Sequence, residues 1–165
     1  MQDYLLAYKD KFYRFALRLV DNEFDAEDIM QELAIKIWEL GEDFEKIENK
    51  DAWCMTVTRN MALDKIRSNQ KRHHENMDKI NLDLNETPGP DKEYESNDMM
   101  KRIRNLMKNM PETYKTVIQL REIEEMSYKE IAEIMNTDIQ NVKVYIFRAR
   151  KQLQELIKES GIKYN

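Results

Sequence analysis

Six residues near the C-terminus carry chemistry that invites a partner. Gln140, Asn141, Val144, Phe147, Arg148 and Lys151 fall at helical spacings. At 3.6 residues per turn they share one broad face. Amide, guanidinium and apolar groups side by side are the chemistry that reads base edges in a DNA major groove. Lys143 and Arg150 lie nearer the rim of that face, where a cation is better placed for a phosphate.

The other side of the same segment is apolar. Ile139, Val142, Ile146, Ala149 and Leu153 cluster within about 80° of arc and should be buried. Asp138 is the expected N-cap. Just upstream, Ser127-Tyr128-Lys129-Glu130 reads as a capping box opening an earlier helix. Ile131, Ala132, Ile134 and Met135 give that helix an inner face, and Ala132 is small where a second helix must cross closely. Asn136 tolerates the left-handed backbone of a tight turn. Helix, turn and helix together form a helix-turn-helix. An ordinary helical hairpin with a solvated basic face is the plainer alternative, but such a face has little need of Val144 and Phe147.

Two further clusters lie in the N-terminal half. Trp53, Thr56, Asn60, Asp64 and Arg67 line one stripe of a helix expected from near Asn49 to about Arg72. An aromatic beside amide and guanidinium groups suits an unstacked base. Five basic residues and one acidic residue fall between Arg59 and Arg72, Lys71 among them, enough for a phosphate path. A Trp at a helix start is more often a core anchor, so Asn60 and Arg67 are better candidates for contact than Trp53. Upstream, Asp28, Gln31 and Glu32 form a polar edge beside the Ile29, Leu33 and Ile37 stripe. From the residues alone this is a solvated helix edge.

No catalytic constellation accompanies these clusters. There is no glycine-rich phosphate loop and no nucleophile elbow, and nothing asks for a cofactor. His73 and His74 are adjacent, so on a helix they point about 100° apart, and they make a poor zinc site. The single cysteine, Cys54, rules out an intrachain disulfide and sits in an apolar run as a buried thiol.

The elements that must position these residues are helical. Gly and Pro number only 3 each in 165 residues, and no alternating strand pattern is visible. A first helix is expected over about 3–20, with Leu5, Tyr8, Phe12, Phe15, Ala16 and Leu19 on one face. Asp25 is the expected N-cap of the next, which Gly41 should stop. Residues 75–98 hold 8 acidic and 2 basic residues and the run Thr87-Pro88-Gly89-Pro90, the composition of a flexible linker. Beyond it, Pro111 should take the first position of a helix carrying Tyr114, Val117, Ile118 and Leu120. The net charge of -5 hides a segregation, because residues 99–165 carry 13 basic and 9 acidic residues. DNA binding follows the local patch, not the total. The expected fold is all-α: two small helical domains, 1–74 and 99–165, joined by the acidic linker 75–98. No signal peptide and no span of roughly 20 apolar residues is present, so a cytoplasmic protein without membrane insertion is expected.

Met110 through Leu156 resembles region 4 of sigma-70-family factors, specifically the extracytoplasmic-function (ECF) group, in "MPETYKTVIQLREIEEMSYKEIAEIM" and "VKVYIFRARKQLQEL". The resemblance implies a grip on the −35 promoter element and on the flap of the polymerase beta subunit. It assigns Gln140, Asn141, Lys143, Val144, Phe147, Arg148 and Lys151 to −35 DNA. Asn136 and Glu125 stand where the family commonly has glycine. "FDAEDIMQELAIKIWE" resembles region 2.2, which implies that Asp25, Asp28, Gln31, Glu32 and Trp38 meet the clamp coiled coil of the beta-prime subunit. "KDAWCMTVTRNMALDKIRSNQKRH" resembles regions 2.3 and 2.4, which melt and hold the −10 element, and assigns Trp53, Asn60, Arg67, Lys71 and Arg72 to it.

These matches imply a sigma factor that directs bacterial RNA polymerase to promoters and leaves all catalysis to the polymerase. Core polymerase and promoter DNA are the implied partners. Methionine-rich apolar surfaces add an anti-sigma factor that would bury both domains. No sensor domain is expected beyond about residue 160. Two rivals remain: a stand-alone helix-turn-helix regulator, which has no need of a strand-melting helix, and a helical interaction protein without DNA affinity, which leaves the Gln140–Lys151 face unexplained.

Overall fold

The computed structural model describes residues 2–77 and 98–163. Eight α-helices and no strand occur among them. In chain order these are α1 (Gln2–Val20), α2 (Glu23–Leu40), α3 (Glu42–Glu45), α4 (Lys50–Met77), α5 (Asp98–Met107), α6 (Glu112–Ile118), α7 (Tyr128–Met135) and α8 (Ile139–Glu159). A π-helical segment, Gln119–Ile123, continues α6. The expected all-α class is what the chain adopts. Most of the acidic linker lies outside the described residues, but its expected beginning does not. Glu75–Met77 are still helical, so α4 runs past the boundary placed at residue 74.

The N-terminal helices close around Phe12, Phe15, Ile29, Leu33, Phe44 and Met55, all fully buried. Spacings of three and four put Phe12 and Phe15 on one stripe of α1 and Ile29 and Leu33 on one stripe of α2, Met55 joins them from α4, and their burial stabilises the bundle. Tyr8 departs from its expected inward place and is exposed. The α1–α2 connection is only two residues long. Asp21 ends α1 in the left-handed region (φ 51), and Asn22 caps α2 by accepting a 3.0 Å hydrogen bond from the Asp25 N–H. Asp25 is therefore the third helical residue, not the cap expected of it, because the extended backbone an N-cap needs falls at Asn22. Gly41 ends α2 as expected, with φ 54. The short α3, which carries Phe44 into the core, has too few residues to show a period.

The C-terminal helices bury Val117, Leu120, Ile131, Ile134, Val142 and Ile146. Pro111 caps α6 with an extended ψ of 145, one residue before the position expected for it. Its carbonyl accepts the N–H groups of Tyr114 and Lys115, both at 3.0 Å. Ser127 and Glu130 form the expected capping box, Asn136 ends α7 in the left-handed region, and Asp138 caps α8. Glu125 also takes a positive φ, 54, so both positions where the family commonly has glycine need backbone that glycine adopts freely.

Candidate nucleic-acid interface

On α8 the partition between faces is sharp. Val142, Ile146 and Ala149 are buried, while Gln140, Lys143, Val144, Phe147, Arg148 and Lys151 are exposed together. Phe147 is 70 % exposed, a large apolar side chain with nothing over it among the described residues. Ile139, expected in the buried stripe, is instead exposed at the first position of α8, and Leu153 is half-buried. Asn141 is exposed, but its side-chain amide donates to Thr137 Oγ1 (3.0 Å) and Asp138 Oδ2 (3.3 Å), so a base would compete with the helix start for it. Arg150 is tied back, its Nε donating to Glu122 Oε1 at 2.6 Å. That leaves Lys143 as the rim cation of the sequence reading.

Helix α4 is 28 residues long and reaches about 42 Å at 1.5 Å per residue. Asn60, Arg67, Lys71 and Arg72 are all exposed along it. Arg67 Nη1 lies 3.8 Å from Asp64 Oδ1 between two largely solvated side chains, a contact that leaves the guanidinium available. Trp53 and Thr56, at the start of the stripe, are half-buried, and the Thr56 hydroxyl donates to the Ala52 carbonyl at 2.8 Å. The Trp53 ring lies edge-on to Phe44, centroids 5.8 Å apart, which is the core-anchor geometry.

The start of α4 is anchored by Asp51, which accepts hydrogen bonds from Lys11 Nζ (2.6 Å) and from the Tyr4 hydroxyl. Burial alone would raise the Asp51 carboxyl, but these two donors outweigh it and hold the group below the usual range. Cys54, one turn on, is buried, and that burial pushes its thiol up to about 12, with the Asp51 charge adding to the effect. His73 and His74 are exposed near the end of α4, and no metal-ligating cluster occurs among the described residues. Nor is any described helix long and apolar enough to cross a membrane.

On α2, the five residues singled out separate into two kinds. Asp25 accepts from Asn69 Nδ2 at 2.8 Å and Asp28 from Lys65 Nζ at 3.2 Å, so both fasten α2 to α4. Gln31, Glu32 and Trp38 are exposed, Trp38 at 72 %. The sequence reading missed Phe24, 79 % exposed, and Ile35, 53 % exposed. Phe24, Asp28, Gln31, Ile35 and Trp38 alternate spacings of four and three, the seam one helix offers another. That spacing was present in the sequence, beside a stronger buried stripe that claimed the helix.

The chain matches two family models in succession: Sigma-70 region 2 over residues 5–72 and Sigma-70, region 4 over residues 100–153. It is 27 % identical to the ECF RNA polymerase sigma factor SigW of Bacillus subtilis, over 92 % of this chain and 86 % of that one. It is 31 % identical to RNA polymerase sigma factor SigV of the same organism, over 92 % and 88 %. Its fold is similar to the sigma factor RpoE of Bartonella quintana, solved with the anti-sigma factor NepR, with a TM-score of 0.78, 25 % identity and 95 % and 96 % of the two chains covered. With a region 2 bundle and a region 4 helix-turn-helix in the family's order, the chain belongs to the ECF group of sigma-70-family factors, the subunits that direct RNA polymerase to promoters.

Proposed function

We propose that three faces divide the work of promoter selection. The exposed face of α8 reads the −35 element, with Gln140, Val144, Phe147 and Arg148 at base edges and Lys143 and Lys151 at phosphates. The outer stripe of α4 holds the −10 element through Asn60, Arg67, Lys71 and Arg72. The Gln31, Glu32 and Trp38 edge of α2, extended by Phe24 and Ile35, docks on the clamp coiled coil of the polymerase. Residues 1–74 and 99–165 serve as the two working domains, and the acidic segment between them serves as their tether. The chain performs no chemistry of its own; RNA synthesis belongs to the polymerase, in the cytoplasm. An anti-sigma factor is a further partner, as NepR is for the similar sigma factor.

The observation that carries this reading is the two-sidedness of α8: Val142, Ile146 and Ala149 are buried, while Phe147 and Val144 are left uncovered beside Gln140 and Arg148. A solvated helix has no use for those apolar groups, whereas a thymine methyl does. Run-off transcription with core polymerase and a promoter library tests the whole proposal. Recovered promoters should share paired −35 and −10 sequences. A chain that binds duplex DNA yet supports no initiation would instead be a stand-alone regulator.

A further inference from the structure

Asn141 lies in the first turn of α8, and the residue that caps this helix holds it by backbone and side chain together. Asp138 Oδ1 accepts from the Asn141 backbone N–H at 2.7 Å, which is the cap itself. Asp138 Oδ2 accepts from Asn141 Nδ2 at 3.3 Å, and Thr137 Oγ1 accepts from the same nitrogen at 3.0 Å. A primary amide carries a pair of N–H donors and a carbonyl oxygen. Both donors are therefore spent within the helix start. A carboxylate only accepts, so the nitrogen of Asn141 and not its oxygen must face Asp138, which fixes the direction of the amide. The oxygen Oδ1 is left over: it accepts from nothing among the described residues, on a side chain that is exposed. Gln140, one position earlier, is also exposed and makes no side-chain hydrogen bond among the described residues, so it keeps donors and acceptor alike.

We infer that Asn141 reads the −35 element as an acceptor alone and selects cytosine, as a C·G pair, at one position of it. The first residues of a recognition helix are those that meet base edges. In the major groove guanine and thymine present only acceptors for hydrogen bonding, so each would set its lone pairs against Oδ1. Cytosine presents its N4 amino donor alone and matches. Adenine presents the N6 amino donor beside the N7 acceptor. The two-point pairing of asparagine with adenine needs an amide N–H for N7, and here Thr137 and Asp138 hold that donor. An acceptor left unpaired under the helix costs more than a single hydrogen bond returns, so cytosine outranks adenine. Releasing the amide to adenine would also strip a hydrogen bond from the start of α8.

The inference rests on the proposed placement of α8 in the groove, and its test separates the two. Holoenzyme made with the full chain selects promoters from a library randomised across the −35 element, with the parent, Asn141→Ala and Thr137→Val compared. The parent should select a C·G pair at one position, about fivefold over A·T. Asn141→Ala should erase selection at that position and at no other. Thr137→Val keeps the shape of the residue and the Asp138 cap but frees an amide donor, so it should move the preference toward A·T. Replacing the selected cytosine by its analogue without the N4 amino group should weaken binding of the parent about fivefold more than that of Asn141→Ala. A selected −35 sequence with no position that responds to Asn141→Ala would overturn the base-reading role. An A·T pair at the responding position, a C·G preference unmoved in Thr137→Val, or equal loss with the analogue in parent and Asn141→Ala would overturn the acceptor-only reading while leaving α8 in the groove. Recovery of no −35 sequence by the parent would remove the groove placement itself, and the inference with it.

Discussion

Arg14 and Glu124, 110 positions apart in the chain, form a two-point ion pair across the junction between the halves. Glu124 is nearly buried, its side chain 3 % exposed, while Arg14 remains 44 % exposed. Glu124 Oε1 also accepts from Gln119 Nε2 at 2.9 Å, and Gln119 is itself buried. The π-helical segment makes this possible: the Glu124 N–H bonds to the Gln119 carbonyl at 3.0 Å, five residues back, and re-aims the chain.

Unequal penalties follow for the two partners. Arg14→Ala removes a half-solvated cation and should cost no more than about 1 kcal/mol. Glu124→Ala also strands the Gln119 amide in the core and should cost about 1–3 kcal/mol. Urea denaturation of both variants checks the order, and equal costs would mean that Gln119 finds another acceptor.

Positive φ at Glu125 and Asn136 predicts stabilisation by glycine. Glu125→Gly relieves a left-handed residue with an ordinary side chain and should gain about 0.5–1 kcal/mol. Asn136→Gly should gain less, because asparagine already tolerates that region. The gain should appear as a higher urea midpoint with unchanged slope.

How much of this was legible in the sequence depends on the range of each contact. The capping box at Ser127 and Glu130, the left-handed Asn136 and the Asp138 cap are local chemistry, and each residue type announces its role. The α2 cap was misplaced from Asn22 to Asp25 because both types cap well, and only the end of α1 at Asp21 decides between them. Phe44 and the π-helical segment give too short a signal for any period. Arg14–Glu124 and Asn49–Glu130 leave no local mark, since their partners are fixed by packing. At the candidate interface, the exposure of Phe147 and Val144 was readable from spacing. The tying back of Asn141 and Arg150 was not.

Acid should loosen the junction in a definite window. The Ser127 backbone N–H, followed by the Asn49 amide, holds the Glu130 carboxyl below its ordinary value. A carboxyl lowered by folding contributes stability above its unfolded pKa of about 4.3, and that contribution fades as pH falls below it. Stability measured from pH 7 down to pH 3 should fall less steeply in Glu130→Gln than in the parent. Identical slopes would remove Glu130 from the acid response.

Cys54 should be inert in the folded chain. Its buried thiol, pushed up to about 12, holds almost no thiolate at neutral pH. A thiol reagent at pH 7.5 should label it only at the rate of unfolding, and immediate labelling would place it at the surface.

The most direct measurement is promoter-library selection with holoenzyme carrying Arg148→Ala or Lys143→Ala, with salt titrations of duplex binding alongside. Arg148, on the centre of the exposed α8 face, should behave as a base reader: its loss should cost about 1–3 kcal/mol at the preferred −35 sequence and relax one or two positions. Lys143, at the rim, should behave as a phosphate contact: its loss should weaken all sequences alike and lower the salt dependence by about one unit. An unaltered −35 selection with Arg148→Ala, or a changed one with Lys143→Ala, would contradict the placement of α8 in the groove.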